Sequence, residues 1–351
     1  MDDSNRRARQ SATRGVGAVT NRAPTDLAGA AFVRAPSDAP AANQHVDLPE
    51  AVLPAAGGSK DPPLRIWVNG ESREAAGLHV SAYDRGLTLS DGVFETMRIH
   101  GGSVFRLDRH LARLDRALRV LEIPRRPELR DWVLKSLHAT AVRDASLRLT
   151  VTRGVGPGGV MPPTDARPTV IVAVSHLPVF QTSIYEDGLK AHIASGRRNE
   201  RAMTSGLKTL AFTDAVAALL EAQHAGADEA LFLDTEGHCS EATSSNVFVW
   251  RRNTLLTPPV SCAALPGITR ATVLELATGL GVPSAERIVG PDELINADEV
   301  FLTSSLRGLA PVVQIGPHRI GTGAPGVLTR RLADAYAALV ERECQKTVRD
   351  P

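Results

Sequence analysis

The chain is short of lysine. Of its forty lysine and arginine residues only five are lysine: Lys60, Lys135, Lys190, Lys208 and Lys346. Cysteine is scarcer, with Cys239, Cys262 and Cys344 widely separated. That number and spacing exclude a disulfide framework, show no metal-ligand motif, and suit a reducing cytoplasm. Aromatic residues make up only 4% of the chain, and no apolar run is long enough to span a bilayer. The formal net charge of +1 gives no broad basic field for nucleic acid and no single-sign run for a membrane surface. What is present is length and apolarity: 351 residues, 43% hydrophobic, enough to bury a large core and to form two domains.

Residues 1–62 differ from the rest. They are rich in Ala, Pro, Ser and Arg, carry no sustained period, and cannot bury enough apolar surface to offset their ordering entropy. Arg and Ser would suit a transit peptide, but Asp2, Asp3 and Asp26 count against one. A disordered N-terminal tail or a mis-assigned start is the expectation. From Pro63 the texture changes, and a small α+β domain is expected over 63–178. Asn69-Gly70 and Gly101-Gly102 mark hairpin turns, and the spacing of Leu107, Leu111, Leu114, Leu118 and Leu121 predicts a helix stopped by Pro124. "PVFQTSIYEDG" reads as the interdomain connection. A larger domain over 185–345 follows, with helices expected from about Phe212 to Gly226, at "GITRATVLELATGLG" and at "GVLTRRLADAYAALVEREC".

One motif is tempting. Gly154, Gly156 and Gly159 fit G-x-G-x-x-G after a strand, but a dinucleotide site needs a helix to start there, and Pro162-Pro163 follows instead. A mobile Gly/Pro loop beside a pocket is the better reading. Lys208 in "GLKTL" is stronger. An imine-forming lysine must be desolvated and reachable by a carbonyl, and apolar neighbours ahead of a helix provide such a setting. Taken alone, the stretch reads better as an ordinary solvated lysine near a helix start. Glu241, isolated among Ser, Ala and Thr, can hold a protonated ring nitrogen, or it is a strand-edge carboxylate. "ALPGITR" starts a helix at Pro-Gly, so free N–H groups at Ile268 and Thr269 offer an anion site, against a plain cap. "FLTSSLRG" is a strand ending in hydroxyls, and Arg113 stands at the edge of an apolar helix face, where a snorkelling surface arginine is the alternative.

Together these segments resemble the class-IV pyridoxal-phosphate aminotransferases, the fold-type IV enzymes, from about Leu64 to about Val340. "WVNG", "DRGLTLSDGVFETMR", "FRLDRHLARL", "GLKTL", "DEALFLDTEGHCSEATSSNVF", "TPPVSCAALPGITR" and "ADEVFLTSSLRGLAPV" occur in family order. The resemblance implies an α+β fold with a small domain and a larger one around a barrel-like β core. It implies pyridoxal 5'-phosphate held by Lys208 as a lysine aldimine, Glu241 on the pyridine nitrogen, and Arg113, Ile268, Thr269 and Ser305 around the phosphate. It further implies that an amino acid and a 2-oxo acid exchange an amino group. No metal is implied. A cytoplasmic homodimer is expected, in which the small-domain loop of one subunit approaches the other's site.

The branches of the family are less sharply marked. "GVGPGGVMPP" and Arg148 resemble the branched-chain aminotransferases, which are favoured, and Phe94, Arg148 and Leu306 are the candidate substrate residues. However, Phe94-Glu95-Thr96 and Ser304-Ser305-Leu306 depart from that branch, and the tyrosine usual just after the lysine is missing from Ala211-Phe212-Thr213. "RGVGPGG" lacks the Arg-x-His carboxylate trap of D-amino-acid aminotransferases. "FETMR" and "SSLRGLAPV" resemble aminodeoxychorismate lyase, which releases pyruvate to give 4-aminobenzoate, and this is the alternative.

Overall fold

Asn69-Gly70 turns the chain as its sequence predicts: both residues adopt positive φ (50° and 83°), the geometry that lets a two-residue loop follow strand twist. The turn joins β1 (Arg65–Val68) to β2 (Glu71–Arg73). The computed structural model describes residues 64–74 and 78–349, and the expected tail lies outside them. After the short helix α1 (Arg85–Leu89) come β3 (Gly92–His100) and β4 (Ser103–Val104). Two helices follow, α2 (Leu107–Val120) and α3 (Leu129–Thr140), and then β5 (Ala145–Thr152) and β6 (Thr169–Ser175). The six strands pair antiparallel in the order β2-β1-β6-β5-β3-β4.

Strand alternation decides what each face does. In β3 and β5 one row, Val93, Met97, Ile99, Leu147, Leu149 and Val151, is buried against α2 and α3. The other row presents Phe94, Thr96 and Arg148, with Thr96 directly opposite Arg148. Helix α2 ends at Val120, before the predicted stop at Pro124. Glu122 takes a left-handed φ of 51°, and Arg153 donates to the carbonyls of Leu121 and Glu122, so a distant guanidinium terminates the helix.

The second half begins with α4 (Ser183–Glu186) inside the expected connection. It continues with β7 (Leu189–Arg198), α5 (Thr213–His224), β8 (Glu229–Asp234), β9 (Cys239–Ala242), β10 (Asn246–Arg251) and β11 (Thr254–Thr257). Then come a 3-10 turn (Val260–Cys262), α6 (Ile268–Gly279), β12 (Ser284–Glu286), α7 (Pro291–Ile295), β13 (Glu299–Ser304), β14 (Gly308–Ile315), β15 (His318–Arg319) and α8 (Val327–Arg349). Strands β10-β13-β14-β7-β8-β9 run side by side, and β9 returns to β10, closing a six-stranded barrel. The closing register pairs Glu241 with Asn246. Valine, leucine and alanine side chains fill this half's own apolar core, Leu231, Val247, Val249, Leu302 and Ala310 among them. Closure removes the exposed sheet edges that an open sheet would leave.

Candidate active site

Lys208 stands where the two sheets approach each other. Gly206, with φ +73°, turns the chain toward β3, and residues 208–210 then pair with that strand. Phe94 N–H donates to the Lys208 carbonyl at 3.0 Å, Leu210 N–H donates to the Gly92 carbonyl at 3.0 Å, and Thr209 bridges Val93. The backbone of Lys208 is thus fixed to the small sheet while α5 follows on the barrel side. Its Nζ lies over the rings of Phe94 (4.5 Å) and Phe212 (5.4 Å), which pack edge-to-face. Burial, reinforced by the charge of Arg113, lowers the ammonium to about 8. The amine is therefore poised near neutral pH to lose and regain a proton.

Two adjoining cavities share Lys208, Phe212, Thr243, Ser244, Asn246 and Leu265 in their walls. The larger, about 460 Å³, is also lined by Phe94, Arg113, Arg148, Ile268, Thr269, Ser305 and Leu306. The smaller, about 260 Å³, reaches Glu241 and Arg198. The fold therefore gathers the other eight residues singled out in the sequence around the Lys208 amine. The Gly/Pro loop does not behave as expected. Arg85 donates to the carbonyls of Gly159 and Val160, each at 2.9 Å, and no residue of 154–163 lines either cavity. A buried guanidinium, invisible in the local sequence, ties that loop elsewhere.

The anion end of the larger cavity is built from α6. Gly267 precedes the helix with no side-chain cap, and the first intrahelical bond runs from Ala271 N–H to the Gly267 carbonyl. The N–H groups of Ile268 and Thr269 are left without helical partners at the positive end of the dipole. Arg113 is held against this turn by donating to the Pro266 carbonyl (3.0 Å) and, bidentately, to Glu95 (2.8 and 2.6 Å). These bonds occupy three of the five guanidinium N–H groups. Glu95 also accepts from His110 Nδ1 at 2.7 Å. Burial works to raise the Glu95 carboxyl, but the hydrogen bonds from Arg113 and His110 outweigh it and hold the group below the usual range.

Glu241 lies in a different setting. Its Oε2 accepts from Leu265 N–H (2.8 Å) and Asn246 Nδ2 (3.3 Å). Among the described residues, its Oε1 has only Arg198 Nη2, at 3.9 Å. Burial raises this carboxyl, and the Arg198 charge offsets only part of the effect. Asn246 Nδ2 also donates to the Leu265 carbonyl at 2.8 Å, so one amide secures both the barrel closure and the turn before α6. A Cβ on Gly267 would collide with Asn246 Oδ1, which is why the turn needs glycine there. Thr303 Oγ1, Ser245 Oγ and Arg198 Nε are buried beside the cavities with no hydrogen-bond partner among the described residues. Such orphaned groups suit a polar ligand.

Glu95, His110, Asn246 and the N–H of Leu265 escaped the sequence reading. A signal for two of them existed: Glu95 interrupts the apolar row Val93-Met97-Ile99, and His110 and Arg113 fall on one helix face at i and i+3. Arg148 stacks over Phe94 at 3.7 Å and, among the described residues, has no ion-pair or hydrogen-bond partner.

A barrel and a sheet enclosing one desolvated amine, a helix N-terminus and an under-partnered carboxylate define an enzyme that works on carbonyls and amines. The family model for amino-transferase class IV matches residues 92–315, and the chain belongs to that family. A protein of Methanocaldococcus jannaschii, provisionally named a branched-chain-amino-acid aminotransferase, is 35% identical over 78% of this chain and 95% of its own length. The D-alanine aminotransferase of Bacillus licheniformis is 34% identical over 81% of this chain and all of its own. The crystal structure of 4-amino-4-deoxychorismate lyase from Pseudomonas aeruginosa superposes with a TM-score of 0.70 at 38% identity. It covers 77% of this chain and 97% of that one.

Proposed function

We propose that the chain binds pyridoxal 5'-phosphate and transfers an amino group between an amino acid, of branched-chain type, and a 2-oxo acid. The observation that carries this reading is Lys208: an amine lowered to about 8, held over two aromatic rings where the two cavities meet. The bound cofactor supplies a carbonyl carbon that condenses with amines and a protonated ring that accepts electron density. Lys208 would hold it and then, once freed, take the proton from the substrate α-carbon and return it. Glu241 Oε1 would accept from a protonated ring nitrogen, whose positive charge this carboxylate lacks. The N–H groups of Ile268 and Thr269, with Arg113 and Ser305, would hold the phosphate. Arg148 receives the substrate carboxylate, and Phe94, Phe212 and Leu306 offer apolar surface to its side chain.

The division into domains at 63–178 and 185–345 is part of the proposal and rests on the separate apolar cores of the two sheets. A cytoplasmic homodimer is proposed from the family resemblance and from exposed apolar side chains such as Leu87, Val160 and Met161. Among the described residues, no helix is long and apolar enough to cross a membrane.

A second reading is favoured by a specific observation, the 38% identity to a solved aminodeoxychorismate lyase, together with "FETMR" and "SSLRGLAPV". The purified enzyme should be given leucine with 2-oxoglutarate and, separately, aminodeoxychorismate. Glutamate formation supports transamination, whereas pyruvate with 4-aminobenzoate replaces it with elimination.

A further inference from the structure

The two segments that meet at Glu241 and Leu265 meet again three residues upstream, where His238 and Cys262 come together and Asp234 joins them. We propose that Asp234, His238 and Cys262 form a binding site for one Zn²⁺ ion. A carboxylate oxygen, an imidazole nitrogen and a thiol sulfur from these residues all lie within 4.8 Å of one another. Tetrahedral coordination at ordinary bond lengths places ligand atoms about 3.4–3.7 Å apart, so side-chain shifts of about 1 Å complete the set. Sequence spacing gives no hint of this site, because β9, β10 and β11 all lie between His238 and Cys262.

The carboxylate is already aimed. Asp234 Oδ1 accepts from the backbone N–H groups of Glu236 (3.1 Å) and His238 (2.8 Å) in a turn that Gly237 makes with φ +87°. Oδ2 is left facing His238 Nδ1 at 3.4 Å. Backbone hydrogen bonds that orient a ligating carboxylate are the usual outer support of a metal site. Asp234 and Cys262 are 2% and 3% exposed, while His238 is half-buried and leaves an entry path. One oxygen, one nitrogen and one sulfur make a borderline-soft donor set, which selects zinc over magnesium or calcium. With three protein ligands, the fourth position is left for water.

Binding would engage the sulfur as the thiolate, as a zinc–cysteine bond does. His238 leads directly into β9 and Glu241, and Cys262 precedes the turn that holds Leu265. An ion here would clamp together the two segments on which the Glu241 carboxylate rests.

The test uses the full-length holoenzyme, purified without a polyhistidine tag, stripped with chelator, and titrated with Zn²⁺ and Co²⁺. One equivalent of zinc should survive gel filtration. Cobalt should give a thiolate charge-transfer band in the near ultraviolet. Cys262→Ser should abolish that band. His238→Ala, at a half-exposed side chain, should weaken zinc binding by more than the about 10–100-fold that losing an outer-shell partner costs. Both variants should keep normal cofactor absorbance, which controls for folding. Failure to retain zinc, or equal affinity and an unchanged cobalt spectrum in both variants, would overturn the site and leave an Asp–His pair over a buried thiol.

Discussion

Glu95 is buried and Glu241 partly buried at a cavity wall, both within reach of the Lys208 charge, yet their surroundings act in opposite directions. Glu95 receives two bonds from Arg113 and one from His110 and is held in its ionised form. Glu241 has a backbone N–H, an amide and a guanidinium 3.9 Å away, and burial raises it. The first carboxylate is satisfied within the folded chain and serves to hold Arg113. The second is left short of positive charge at a cavity wall. A structural ion pair and a ligand-binding carboxylate are distinguished here by how fully their oxygens are already used.

Breaking the satisfied pair should have the largest effect on stability. Glu95→Ala leaves Arg113 uncompensated and should cost about 3–5 kcal/mol, measured by denaturant unfolding. The corresponding Glu241→Gln exchange should leave the cofactor-free protein as stable as before, or more so. A carboxyl whose folded pKa is raised stabilises the fold only at pH below its unfolded value and loses that contribution as pH rises, so at pH 7 its charge is a cost. If Glu241→Gln destabilises the cofactor-free protein as much as Glu95→Ala does, the contrast between the two carboxylates fails.

Lys208, between them, sharpens the comparison. Its folded value of about 8 lies below the ordinary 10.5, so between those pH values the unfolded chain holds the proton that the folded one has released. Stability of the cofactor-free protein should therefore rise with pH across about 8 to 10.5, by up to about 3 kcal/mol. Lys208→Met should flatten that rise in pH-dependent melting.

Next in size is the kinetic effect of Glu241→Gln. Loss of about 100-fold in kcat at unchanged fold is expected for removing a charge aimed at the reacting group. Gly267→Ala comes last. Its φ of −70° suits any residue, so the damage is steric alone: the new methyl group displaces Asn246 and costs about 1–3 kcal/mol. Cofactor affinity should fall along with it, because Asn246 holds both Glu241 and the turn before α6.

Residue spacing made much of this frame legible. The Asn-Gly and Gly-Gly turns, the leucine stripe of α2 and the Pro-Gly start of α6 are local signals, and the fold uses each of them. Lys208, Glu241 and Arg113 were legible only jointly, as a family pattern. What stayed hidden depends on long-range contacts. Arg153, just past the end of β5, ends α2, Arg85 takes the Gly/Pro loop away from the cavities, and Asn246 closes the barrel against Glu241. No window of sequence contains both partners of the first two contacts. For the third, the five-residue separation gives no sign that the amide also reaches Leu265.

The central claim is that Lys208 is the amine that holds the cofactor. Purified protein reconstituted with pyridoxal 5'-phosphate should be reduced with borohydride, digested and analysed by mass spectrometry. One phosphopyridoxyl group is expected, on Lys208, with the visible imine band lost in Lys208→Ala. A phosphopyridoxyl group on another lysine, or an unchanged band in that variant, would contradict it.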